Sequence, residues 1–271
     1  MKTPPREDDP PQAASGDVRR CLWNHFILTR ALARQARQAA QRAGAGAIPF
    51  YYVDTHGGSG RVSPPAPYLD RLLERRGGFA ADDYFEALDP PLADGRHPGS
   101  WVLAGRVIEA AGGRSLVVEM DVNDIDPALV AAARANREGT WTRFWSHDWF
   151  LFLRSRLSLT GQPDFIFIDP PPGDARGPAY AVDTAILLET LKIPFMVSYA
   201  ADALQEPIDQ IGRVGLELSL NGTETGGGAG VVLGGGAETL LLDILPDLRL
   251  LAELLDGTFV SRIPRHDDYS I

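Results

Sequence analysis

The sequence predicts an α/β fold built on a mostly parallel seven-stranded sheet, closed by a terminal antiparallel hairpin and carrying a small helical insertion. Three observations predict it. From residue 115 to residue 198, apolar runs rich in β-branched and aromatic residues alternate with stretches of helical period, and that alternation implies right-handed βαβ crossovers. An earlier run, Phe50-Tyr51-Tyr52-Val53, leads into Asp54-Thr55-His56-Gly57-Gly58-Ser59-Gly60. A glycine-rich turn of this kind belongs at the carboxyl ends of parallel strands, where ligands collect. A later run, Phe165-Ile166-Phe167-Ile168, ends in Asp169-Pro170-Pro171-Pro172.

Taken in order, residues 1–16 hold four prolines and no apolar period, which predicts a disordered tail before a single domain over 17–271. A helix follows over 18–43, with Leu22, Phe26, Leu32 and Ala36 facing inward and Gly44 and Gly46 ending it. It carries Arg19, Arg20, Arg30, Arg34, Arg37 and Arg42 and no acidic residue. Arg30, Arg34 and Arg37 share a face, which reads either as a solvated face or as a ridge that contacts phosphates. After the glycine turn, Pro64, Pro65 and Pro67 introduce helical patterns over 68–76 and 82–88, an insertion spanning about 62–96. His97-Pro98-Gly99-Ser100 then opens a helix to 111. Strands are predicted over 115–120, 141–145, 165–168 and 194–198, with helices over 127–136, 148–157 and 180–191 between them. A hairpin over 214–220 and 229–233, a helix over 238–255 and a short strand around Phe259 complete the chain.

Composition narrows the function classes. With 271 residues and 44% hydrophobic content the chain buries a full core. Cys21 is the only cysteine, so no internal disulfide forms, and the five histidines show no metal-binding spacing; no metal is expected. Neither an uninterrupted apolar run of membrane-spanning length nor a signal-peptide core occurs, which leads to the expectation of a monomeric cytoplasmic protein without membrane contact. The net charge of −10 repels a polyanion on average, whereas the arginine-rich first helix favours one.

Four strand ends carry the chemistry. Gly58 and Gly60 allow a ligand close to the backbone. Glu119, ending the second predicted strand, suits the two hydroxyls of a ribose. Asp148, opening the helix after the third strand, suits an adenine amino group, with Trp149 beside it. Asp169 ends the fourth strand. Together these describe the Rossmann-like class I methyltransferase fold.

The same residues resemble a known family, the bacterial large-subunit (23S) ribosomal RNA adenine-N6 methyltransferases. The resemblance runs from Asn24-His25 through 52–61, His97-Pro98-Gly99-Ser100, Glu119, His147-Asp148 and Ile168-Asp169-Pro170-Pro171 to the glycine-rich hairpin. It implies S-adenosylmethionine as cofactor and RNA as partner. It implies a cofactor site lined by His56, Ser100, Glu119, Asp148 and Asp169, with Asp169 also catalytic. Asn24, Arg30, Arg34, Pro170, Pro171, Pro172 and Tyr180 are the corresponding substrate-side candidates. The chain departs from the family where Pro172 replaces a tyrosine that stacks on the target base and where Ala31 replaces a cofactor-contacting histidine. Base stacking contributes about 1–3 kcal/mol, so Trp149 or Tyr180 would have to substitute. A methyltransferase on a small molecule or protein amine, and a non-catalytic binding protein on the same scaffold, are the alternatives.

Overall fold

The computed structural model describes residues 15–44, 46–62, 67–89, 96–137, 139, 141–158, 161–171, 176–201, 211–220 and 228–263. Of the tail expected over 1–16, residues 1–14 lie outside the described residues, as do Pro172 and the glycine- and threonine-rich link of the hairpin, while Ser15 and Gly16 already belong to the first helix.

One sheet organises the chain. Its strands are β1 (Ile48–Asp54), β4 (Leu116–Asn123), β5 (Trp141–Trp145), β6 (Phe165–Ile168), β7 (Phe195–Ala200), β8 (Gly215–Leu220), β9 (Gly228–Gly234) and β10 (Gly257–Arg262), in the spatial order β10-β8-β9-β7-β6-β1-β4-β5. The five strands β5, β4, β1, β6 and β7 run parallel, and β9, β8 and β10 add antiparallel pairs. This is the expected Rossmann-like arrangement with one strand more than the seven expected. The eighth exists because β10 pairs along its whole length with β8, from Gly257 opposite Leu220 to Arg262 opposite Gly215. The order reverses at β1, which lies between β4 and β6, so the switch point at which such sheets take ligands lies where β1 and β6 end.

Alternation along the strands sets the two faces. Phe50 and Tyr52 of β1 and Phe165 and Phe167 of β6 point into one apolar cluster, while Tyr51, Val53, Ile166 and Ile168 point into the other. The first face is covered by α1 (Ser15–Arg42), α4 (Ser100–Gly112) and α8 (Leu241–Leu254); the second by α6 (Trp149–Leu157) and α7 (Gly177–Leu191). The remaining helix of the alternating region, α5 (Pro127–Ala135), starts with Asp126 capping the amide of Ala128. Between β1 and α4, strands β2 (Arg61–Val62) and β3 (His97–Pro98) pair antiparallel and bracket α2 (Tyr68–Glu74) and α3 (Asp83–Leu88). Among the described residues no helix is long and apolar enough to cross a membrane.

Helix α1 is where the structure departs most from the expected picture. At 28 residues it is about 42 Å long, and it is buried on nearly all sides from Leu22 to Ala33. Arg30, 7% exposed, donates to Asp83 of α3 at 3.2 Å and lies 3.7 Å from Asp247 of α8. Arg34 pairs with Asp243 and Arg37 with Asp83. Of the two readings of this face, solvated or phosphate-contacting, Arg30 fits neither because it is buried in an internal pair, while Arg34 and Arg37 stay partly exposed and pair with acids of the carboxyl-terminal helix and the insertion.

Removing one member of a buried ion pair strands its partner, at a cost of about 3–5 kcal/mol; for Arg30 that partner is buried Asp247, since Asp83 keeps Arg37. Arg30→Ala is accordingly expected to lower stability by that amount in urea denaturation, whereas Arg34→Ala, whose pair is largely exposed, costs under about 1 kcal/mol.

Candidate functional site

Four parallel strands end side by side, β1 at Asp54, β4 at Asn123, β5 at Trp145 and β6 at Ile168. Asn123, fully buried, ties their loops together. Its amide donates to Thr55 O at 3.2 Å and to His147 O at 3.0 Å, and its carbonyl accepts from His147 N at 3.1 Å. Thr55 N donates to Phe167 O at 3.1 Å, so the turn after β1 is fastened to β6 as well.

The glycines of that turn do different work. Gly58 has φ +56°, its amide donates to Asp124 Oδ2 at 3.1 Å, and a Cβ built on it would meet nothing within 4 Å. The turn thus faces open space at Gly58. Gly60 has φ +77°, and a Cβ there would lie 2.2 Å from the Trp101 ring. Its carbonyl accepts from Gly99 N at 2.8 Å. Gly60, expected to meet a cofactor, is instead required by close packing of β2 against the start of α4.

Asp54, at the end of β1, is fully buried and receives Ser100 Oγ at 2.6 Å, Tyr52 OH at 3.1 Å and His56 N at 3.1 Å. Burial raises its carboxyl to about 7 despite these three donors. Ser100, expected at the cofactor, spends its hydroxyl here, and its side chain is buried. Nearby, His25 of α1 stacks on His97 with ring centroids 5.6 Å apart. Burial, with His97 alongside, depresses His25 to about 3, and burial depresses His97 to about 4, so both rings are neutral at pH 7.

Asp169 follows β6 and is 31% exposed. Its Oδ1 accepts from Arg20 Nη2 at 2.9 Å, from Asn24 Nδ2 at 3.5 Å and from Ser198 Oγ of β7. The same Arg20 nitrogen donates to Pro170 O at 3.1 Å. Asn24, expected on the substrate side, therefore comes to Asp169. Pro170 is buried beside it and Pro171 exposed.

On the other side of the turn, Asp148 caps α6: its Oδ1 accepts Phe150 N at 3.1 Å and Leu151 N at 3.0 Å, leaving Oδ2 for a ligand. The His56 ring lies 5.5 Å from Trp149, and Trp149 lies 6.4 Å edge-on to Tyr180. Tyr180 itself stacks on Phe150 at 4.5 Å, so one ring face is already covered.

Two groups of expected residues stay away. Glu119 does not end β4. The strand continues to Asn123, and Glu119 sits mid-strand opposite Tyr51 and Trp141, four residues or about 13 Å short of the strand end. The strand can continue because Asp121, fully buried, is neutralised by Arg143 and by Arg156 at 3.2 Å and accepts Tyr51 OH at 2.6 Å. Asp124 holds the strand-end position instead. Arg30 and Arg34 are withdrawn into the ion pairs described above.

The chain superposes on a Legionella pneumophila protein of the family model DUF519 with a TM-score of 0.68 at 16% identity, covering 94% of this chain and 99% of that one. At that identity the likeness is one of fold. It overlaps more loosely, at a TM-score of 0.33 and 10% identity, with magnesium protoporphyrin IX methyltransferase from Synechocystis PCC 6803 with bound SAM, over 77% of this chain and 80% of that one. No family model and no curated protein matches the chain.

Sequence reasoning missed four site residues: Arg20, Asn123, Asp124 and Ser198. Arg20 alone left a signal, since it stands one helical turn before Asn24 and so shares its face.

The raised carboxyl of Asp54 fixes the sign of a pH effect. Folding holds its proton more tightly than the unfolded chain does, so its contribution is present at low pH and lost as pH rises from about 4 towards about 7. Between pH 5 and 8 the loss is on the order of 2–3 kcal/mol. The depressed histidines act oppositely, losing stability as pH falls below about 6.5. Asp54→Asn leaves their contribution in place, so the wild-type-minus-variant difference in urea stability, measured at pH 5 and pH 8, isolates Asp54 and is expected to shrink as pH rises.

Proposed function

We propose that the chain is an S-adenosylmethionine-dependent methyltransferase that alkylates the exocyclic amine of an adenine, with RNA the acceptor. One observation carries the reading. Asp169 Oδ1 and Pro170 O converge to within 3.1 Å of a single nitrogen, Arg20 Nη2, and two acceptors focused on one point are what an –NH₂ group needs.

The residues present fit the cofactor. The open space at Gly58, Asp124 after β4 and Asp148 after β5 all stand at the carboxyl ends of neighbouring parallel strands. In this reading Asp124 takes the ribose hydroxyls assigned to Glu119 from the sequence, and Asp148 the adenine amino group. When bound, S-adenosylmethionine supplies a methyl group activated by its sulfonium.

The chain's own residues supply position and proton transfer. An adenine amine is a weak nucleophile because its lone pair is delocalised into the ring. Accepting its two hydrogens at Asp169 and Pro170 draws that pair out of the ring, and Asp169 takes the proton released on transfer. Holding the amine there contributes most of the rate. Ser198 and Asn24 fix the Asp169 carboxylate for that task.

A second reading, a small nucleoside or nucleotide as acceptor, is favoured by the spent arginines of α1. Arg30 is buried in an internal pair, and Arg34 and Arg37, though partly exposed, already face acids of this chain, which lowers the pull of that helix on a polyanion. Salt separates the two readings: binding to RNA weakens steeply with ionic strength in proportion to the phosphates neutralised, and binding of a small acceptor does not.

Calorimetric titration of S-adenosylmethionine is the direct test, and absence of binding sinks the proposal. Gly58→Ala is expected to abolish that binding while costing about 1–2 kcal/mol of stability for the left-handed backbone. Asp169→Ala is expected to retain cofactor binding and lower methyl transfer by about 10²–10⁴-fold; unchanged transfer would remove Asp169 from the mechanism.

A further inference from the structure

Arg20 stands where the acceptor has to be. Its Nη2 lies 2.9 Å from Asp169 Oδ1, 3.1 Å from Pro170 O and 3.2 Å from Ser198 Oγ. The first two of these atoms are the ones that receive the hydrogens of the amine. A guanidinium nitrogen and an amine nitrogen of the substrate, each bearing two hydrogens, therefore compete for one position.

Resting on the methyltransferase reading, we propose that Arg20 determines acceptor specificity: it fills the amine position until a phosphate-bearing adenine nucleotide arrives, whose phosphate takes the guanidinium while its amine takes Asp169 and Pro170. A neutral amine alone makes a poor exchange. It would replace a charge-assisted pair by an uncharged donor and leave the guanidinium with no anion in a site of low exposure. A phosphate on the same molecule reverses that balance, because the planar guanidinium fork matches phosphate oxygens as well as it matches a carboxylate. The guanidinium also has a way out. Asp169 is 31% exposed against 12% for the Arg20 side chain, so the pair opens to solvent on the Asp169 side, and that is the side by which the proposal has Arg20 leave.

The test is binding rather than turnover. Adenosine, adenosine 5′-monophosphate and a short oligoribonucleotide with one adenine are titrated into protein saturated with S-adenosylhomocysteine. The wild type is expected to bind the monophosphate at least about tenfold tighter than adenosine. Arg20→Ala, and Arg20→Met, which keeps the aliphatic stem, are expected to bind the two alike, with adenosine at least about tenfold tighter than in the wild type. An oligoribonucleotide that binds as well as or better than the monophosphate identifies a strand as the phosphate source, and weaker binding identifies a free nucleotide; both agree with the proposal. Equal affinities for adenosine and the monophosphate in the wild type overturn it. So does loss of adenosine affinity in the Arg20 variants, which would make Arg20 a residue that positions Asp169, and so does an absence of adenosine binding in every form. Failure of S-adenosylhomocysteine to bind overturns the methyltransferase reading itself.

Discussion

A guanidinium taken out of water needs a carboxylate, and α1 takes several into the interior. Arg30 meets Asp83 of the insertion and lies beside Asp247 of α8, while Arg20 meets Asp169 at the end of β6. These acids come from three separate parts of the chain, and one helix holds all three. Packing of Leu22, Phe26 and Leu32 against the sheet supplies the favourable energy. The ion pairs decide the register in which that packing occurs, because a slip along the helix axis would leave buried charges on both sides without partners.

The same dependence on distant partners explains what the sequence could and could not disclose. Strands β5 and β6 were legible to the residue, because Trp141–Trp145 and Phe165–Ile168 are dense in strand formers and Asp169-Pro170 is a local stop signal. Strand β4 was not. Asp121, Asn123 and Asp124 after Met120 have the composition of a turn, and nothing nearby says otherwise. Tyr51, Arg143 and Arg156, which make Asp121 tolerable inside a strand, stand 70, 22 and 35 residues away from it. The arginine face of α1 misled for the same reason. Helical spacing showed that Arg30, Arg34 and Arg37 are neighbours, but whether that face meets water or Asp83, Asp243 and Asp247 is decided by tertiary structure.

For the site, local motifs were reliable about place and less so about role. The turn at 54–60 and Asp169-Pro170 do meet at the carboxyl end of the sheet, as the order of strands and helices implies. Yet Gly60 answers to the Trp101 ring, and Ser100 answers to Asp54. A glycine or serine in such a loop serves a neighbour in the fold as readily as it serves a ligand, and only the identity of the neighbour separates the two cases.

Asp54, Asp121 and Asp169 lie at the ends or near the ends of adjacent parallel strands, and their surroundings give them unlike fates. Among the described residues no cation contacts Asp54, so burial keeps its proton on up to about pH 7 and it serves as a hydrogen-bonding hub. Asp121 is closed off, with both oxygens held by arginines and no exposed surface. Of the three, Asp169 combines an ion pair to one arginine with solvent access of its own, at 31% exposed. A carboxylate that has to accept a proton and then release it must exchange partners quickly. Exchange is blocked for Asp54 by burial and for Asp121 by two cations, which leaves Asp169 as the one strand-end acid among the three whose partner can be replaced by a substrate.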